Sequence, residues 1–126
     1  MRVGTRGKGL TDVTQKVARF VSMSGVHTGL CTLFVRHTSC SLVIQENADP
    51  ALRVDYLEHL AKLVPQPGFR HDEGNADAHI KSSLIGTTQP VLVDQGKLVL
   101  GRWQAIYLVE LDGPRQRQVL ARVSKA

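Results

Sequence analysis

The stretch from Arg102 to Val123, "RWQAIYLVELDGPRQRQVLARV", decides the fold. Its two apolar runs, 102–111 and 117–123, put apolar side chains on both faces of an extended chain, because successive strand residues point to opposite sides. Strands of that kind need cover on both sides, from helices, a second sheet or a neighbouring subunit. Between the runs, Asp112-Gly113-Pro114-Arg115 has turn chemistry and predicts a hairpin. Just upstream, "QPVLVDQGKLVLG" (Gln89–Gly101) predicts another hairpin, turning at Asp94-Gln95-Gly96.

Working outward, "LCTLFVRHTS" (Leu30–Ser39) reads as a buried strand and "CSLVIQE" (Cys40–Glu46) as a second. In "NADPALRVDYLEHLAKLVP" (Asn47–Pro65), Asp49 is a helix cap and Pro50 fits the first turn, where its missing N–H costs nothing. Leu52, Tyr56, Leu60 and Leu63 form that helix's apolar stripe, and Pro65 stops it. A shorter helix follows in "NADAHIKSSLIG" (Asn75–Gly86), with Asn75 as cap, Ile80 and Leu84 facing inward and Gly86 at the end. Near the start, Val13, Val17, Phe20 and Val21 recur at helical spacing, with Thr11 or Asp12 as cap and Gly25 or Gly29 as stop. The expected order is helix, two strands, two helices, four strands. Sequential strands joined by tight turns favour an antiparallel sheet, here accompanied by three helices in a single domain over residues 1–126.

With 126 residues, of which 42% are hydrophobic, the chain has enough for one real core. No apolar run nears the roughly 20 residues of a membrane helix. "MRVGTRGKGL" lacks the apolar stretch of a signal peptide, so the protein reads as soluble and cytoplasmic, with no membrane partner. The net charge of +5 could attract nucleic acid, but aromatics total only 5%, too few for a base-stacking platform. An anionic small molecule fits better. Cys31 and Cys40 show no pairing pattern and read as small buried thiols.

Polar residues cluster where folding alone does not require them: His37-Thr38-Ser39-Cys40, Glu46-Asn47-Ala48-Asp49, the segment "HDEGNADAHIKSS" (His71–Ser83), and Gly101-Arg102-Trp103-Gln104. His37, His71 and His79 could supply three imidazole nitrogens to a zinc-like divalent ion, although a spacing of eight between the last two is no recognised ligand motif. Alternatively, the helix start near Asn75, the charges of Lys81 and Arg102 and the hydroxyls of Thr38 and Ser39 suit a phosphate. A nucleophilic reading of His37 with Ser39 also stands, because alternate strand residues share a face. The bland readings are a solvated histidine loop, ordinary capping and surface charge.

Three ordered blocks, "RHTSCSLVIQENADP", "HDEGNADAHIKSSLIG" and "LVLGRWQAIYLVELDGPRQR", resemble the YjbQ-like family, often labelled secondary thiamine-phosphate synthase enzymes. The likeness runs over nearly the whole chain. It implies an α+β fold with antiparallel sheets in a sandwich-like arrangement, a homotrimer, and one polar pocket containing His37, Thr38 and Ser39; Glu46 and Asn47; His71, His79 and Lys81; and Trp103 and Gln104. In that picture His37, Ser39, Glu46, Asn47 and His79 are the catalytic candidates, and Thr38, Lys81, Trp103 and Gln104 bind substrate. Asn75 and Arg102 join the substrate-binding set from the phosphate reading alone, Arg102 and Cys40 standing where family members often carry a small residue or threonine. The implied activity joins a thiamine pyrimidine pyrophosphate to a thiazole phosphate. A non-catalytic metal- or anion-binding regulatory trimer would need the same pocket.

Overall fold

The computed structural model describes all 126 residues. Two antiparallel sheets and a helical layer stack in the order sheet, sheet, helices. The five-stranded sheet runs β1 (Arg2–Gly4), β8 (Gln116–Lys125), β3 (Gly29–Val35), β5 (Thr88–Asp94) and β6 (Lys97–Leu98). The three-stranded sheet runs β2 (Gly9–Asp12), β7 (Gln104–Glu110) and β4 (Cys40–Glu46). The α+β class and the sandwich-like pairing of sheets are as the sequence predicts.

The main core lies between the sheets. Cys31, Leu33 and Val35 of β3, Val91 and Val93 of β5 and Val119 of β8 meet Leu42 of β4 and Ile106 and Leu108 of β7. Val17 and Val21 of helix α1 (Thr14–Ser24) join this cluster, as does Val13, the residue before it. Phe20, assigned to the same stripe, is instead exposed. The other face of β7 carries Val109, which packs with Ala78 of α3 (Ala76–Ile85) and Tyr56 and Leu60 of α2 (Pro50–Leu63). β7 is thus covered on both faces, by a sheet and by helices. β8 alternates instead, with Val119 buried and Leu120 exposed.

Several expectations need correction. β7 and β8 are no hairpin: the 111–115 turn carries the chain from one sheet to the other. β1 and β2 were not anticipated, being three and four residues long and rich in glycine and charge. In α3, Ile80 and Leu84 face outward, while Asp77, Ala78, Lys81 and Ser82 face inward. Leu63, placed on the apolar stripe of α2, is exposed too. Asp49 caps α2 as expected, accepting from the Ala51 amide at 3.0 Å. The β5–β6 turn falls at Gln95-Gly96, both at positive φ.

Candidate functional site

The loop between β3 and β4 holds His37, Thr38 and Ser39 at one end of the sandwich, and α3 crosses beside it. The Nδ1 of His79 lies 2.8 Å from the Thr38 carbonyl. A carbonyl only accepts, so Nδ1 carries a proton, and in the neutral ring Nε2 is the nitrogen with the lone pair. The His71 ring stands edge-on to His79, with centroids 5.1 Å apart. Next to His79 opens a cleft of about 560 Å³ lined by His37, Thr38, His79, Ser82, Ser83, Gly86 and Thr87, with no hydrophobic residue among them. Such a lining suits an anion or a hydrated ion and offers little to an apolar ligand.

His37 is held differently. Its Nε2 accepts the Gln118 amide proton at 2.9 Å. Partial burial, then the charges of Arg117 and Arg36, hold its imidazole below the usual histidine value, against a smaller opposing pull from Glu110. The neutral ring is therefore favoured, with one lone pair already taken. Two imidazoles, His71 and His79, stand together, and no group of three or more His, Cys, Asp or Glu side chains in the chain could hold a metal. The expected three-histidine set does not assemble within one chain.

Ser39 is not an open nucleophile. Its hydroxyl and carbonyl both accept from Nη2 of Arg117, at 2.9 and 3.0 Å, and the residue is buried. Arg117 is itself clamped to Glu110 through Nε at 2.8 Å and through Nη2. Burial alone would raise the Glu110 carboxyl. Hydrogen bonds from Arg117, Thr5 and the Asp112 amide, with the Arg117 charge, outweigh that and hold it below the usual carboxylate value. Asp112 is also held low, chiefly by the Arg115 guanidinium and also by the Asn75 amide. These residues form a polar seam between the sheets that the sequence reading missed. The signal was present: Glu110 shares its strand face with Ile106 and Leu108, where a lone carboxylate demands a partner.

Lys81 does not line the cleft. It lies buried with Asp77 at 3.1 Å, beside a cavity of about 70 Å³ between α2, α3 and β7. Asn75 precedes α3 but makes no side-chain cap; its Nδ2 donates to Asp112 at 2.9 Å, and its buried Oδ1 has no partner. Cys40 is buried, and burial pushes its thiol up to about 11, so it is neither nucleophile nor ready ligand at neutral pH.

Glu46, Asn47, Arg102, Trp103 and Gln104 gather at the opposite end of β4 and β7, where Glu46 pairs with Gln104 and the Asn47 amide donates to the Trp103 carbonyl at 2.9 Å. The Arg102 guanidinium covers the Trp103 ring at 4.7 Å. Six strand steps separate Cys40 from Glu46, about 20 Å. The single expected pocket is therefore two sites in one chain.

Comparison with known proteins bears on the whole chain. A family model described as UPF0047 protein YjbQ-like matches residues 1–126. A UPF0047 protein of Synechocystis is 45% identical over 128 residues, covering 97% of this chain and 87% of its own length. One from Methanocaldococcus jannaschii is 42% identical over 115 residues, covering 90% and 83%. Among solved structures, an uncharacterized conserved protein of Clostridium acetobutylicum superposes with a TM-score of 0.95 at 41% identity, covering 98% of each chain. A conserved hypothetical protein of Thermus thermophilus gives 0.91 at 46% identity, with the same coverage.

Proposed function

The chain belongs to the YjbQ-like UPF0047 family, and from that premise we propose that it is a small-molecule enzyme whose His37–His79 cleft binds a phosphorylated substrate. The observation that carries the reading is His79: its proton is fixed on Nδ1 by the Thr38 carbonyl, leaving Nε2 free beside a wholly polar cleft. A ring held in one tautomer is ready to accept a proton or to ligate.

The reaction proposed is of the thiamine-phosphate synthase type. The thiazole nitrogen forms a bond to the methylene carbon of the pyrimidine pyrophosphate, the carbon–oxygen bond breaks, and pyrophosphate leaves with its electron pair. The protein's part is to position two anionic partners and to stabilise the leaving group with donors. Thr38, Ser83 and Thr87 supply hydroxyls at the cleft. A catalytic zinc takes three protein ligands, whereas His71 and His79 supply two. A third donor would have to come from across a subunit boundary.

The homotrimer belongs to the same proposal. Its support is the outer face of the five-stranded sheet, where Leu30, Phe34, Leu92 and Leu120 are all exposed on neighbouring strands. His37 sits at the edge of that face through its bond to Gln118.

The test is turnover of the two thiamine precursors by the purified protein and by His79→Ala. Product from the parent and none from the variant supports the enzyme. Precursor binding without turnover supports the regulatory trimer instead, a reading favoured by the lack of the carboxylate set that magnesium–pyrophosphate chemistry uses.

A further inference from the structure

The chain between β1 and β2 reads Gly4-Thr5-Arg6-Gly7-Lys8-Gly9. It bridges the two sheets, since β1 pairs with β8 and β2 with β7. Thr5 anchors it: its amide donates to the Arg115 carbonyl at 2.9 Å and its hydroxyl to Glu110 at 2.6 Å. The amides of Arg6, Gly7 and Lys8 have no backbone partner. A cleft of about 450 Å³ lies against the loop, lined by Gly4 to Gly9 and Thr11, with no hydrophobic residue. It shares no residue with the histidine cleft.

The Arg6 charge is not spent inside the chain. Arg6 is exposed and makes no ion pair. Lys8 comes within 3.9 Å of Asp77, but that carboxylate is already held by Lys81 at 3.1 Å. Glu110, the other nearby acid, is taken up by Arg117 and Thr5.

Gly9 supplies an independent argument. It is the first residue of β2, where glycine weakens a strand. Its φ is not positive, and a Cβ built on it would meet nothing within 4 Å. Neither backbone conformation nor packing in the chain calls for glycine. A glycine there leaves the backbone open to close approach by another group.

We propose that the Gly4–Gly9 loop is a second anion subsite, built for the diphosphate or oligophosphate group of a small molecule. The Arg6, Gly7 and Lys8 amides without backbone partners, the unpaired Arg6 guanidinium and the Thr11 hydroxyl belong to residues lining one polar cleft, the components by which backbone nests and basic side chains hold phosphate. The subsite stands independently of the histidine cleft. Were both occupied, the seam Thr5–Glu110–Arg117–Ser39 would join them physically.

The test is calorimetric titration of inorganic pyrophosphate, and separately inorganic phosphate, into the intact protein at low ionic strength. It is run in a His79→Ala background so that the histidine cleft does not supply the signal. Pyrophosphate should bind more tightly than phosphate. Arg6→Ala and Gly9→Ala should each weaken it at least tenfold while leaving thermal stability unchanged, since neither side chain position contacts the core. Absence of binding, or equal binding by both variants and their parent, overturns the proposal. So does Arg6-dependent retention of a single-stranded oligonucleotide without pyrophosphate binding, which would make the loop a nucleic-acid surface.

Discussion

Nη2 of Arg117 meets both the carbonyl and the hydroxyl of Ser39, at 3.0 and 2.9 Å, while the same guanidinium is clamped to Glu110. One side chain on β8 thereby fixes the loop that presents His37 and Thr38. The neighbouring Gln118 amide fixes His37 directly.

Breaking this buried pair from one side should be far worse than removing it whole. Glu110→Gln or Arg117→Met leaves a charge without its partner, at a cost of about 3–5 kcal/mol. The double variant Glu110→Met/Arg117→Met should recover much of that loss. Urea denaturation of the three variants and the parent checks it; equal losses in singles and double would mean that the pair carries no coupling.

The depressed Glu110 carboxyl gives stability a pH dependence of known sign. Its folded pKa lies below the ordinary 4.5, so the unfolded chain binds the proton more tightly. The contribution is fully present above pH 4.5 and is lost as pH falls through the folded value. Urea midpoints measured from pH 6 down to pH 3 should fall, and the fall should shrink in Glu110→Met/Arg117→Met. A slope unchanged in that variant would assign the acid sensitivity to other carboxylates.

His37 should titrate below the ordinary 6.5 in the folded protein, because its site is partly desolvated and faces Arg117 and Arg36. Protonation also forfeits the bond that Nε2 accepts from Gln118. Arg117 depresses the value more than Glu110 raises it, so removing both in the double variant should move His37 upward. Imidazole proton shifts followed by NMR report this. A downward move would show that Glu110, not Arg117, governs the ring.

These seam residues also mark where the sequence could and could not be read. β3, β4, α2 and α3 were legible because each has a strong local signature: dense apolar runs, an Asp-Pro start, a closing glycine. β1 and β2 have none; they pair with β8 and β7 near the far end of the sequence. β7 and β8 look like a hairpin because the turn residues and flanking runs are those of one. That they part into two sheets follows from packing, which puts α2 and α3 against the outer face of β7 while β8 turns Leu120 to solvent. Of the three histidines expected to converge, His71 and His79 stack edge to face. The bond that Arg117 gives the Ser39 hydroxyl comes from 78 positions away, beyond the reach of local sequence. Ile80 and Leu84 were placed inward by their apolarity alone, whereas Lys81 and Asp77 can be buried there because they neutralise each other.

His79→Ala should abolish whatever ligand or divalent ion the histidine cleft holds, and Asp72→Ala should leave it mostly intact. Asp72 is exposed and makes no ion pair, whereas His79 is oriented by Thr38 and faces the cleft. Elemental analysis and ligand titration of both variants decide. Binding at the parent's level by both would reduce the His71–Ser83 segment to a solvated loop.

The bare sheet face sets the last expectation. Leu30 pairs in register with Leu92, and Phe34 with Leu120, across β5, β3 and β8. All four side chains point away from the core and stay exposed. The two exposed apolar pairs lie on one sheet face, either side of a row made by Pro90, Thr32 and Arg122, and large exposed apolar residues grouped on one face suit an interface. Leu120→Asp places a charge in its middle without touching the inward residues Val119 and Leu33, so the fold should survive. Sedimentation equilibrium at micromolar concentration should give a trimer for the parent and a monomer for Leu120→Asp, with circular dichroism unchanged. If the site draws residues from a neighbour, the same variant should also lose ligand binding although His37, His71 and His79 are intact. A monomeric parent would remove the trimer. A monomeric variant with full binding would place the whole site within one chain.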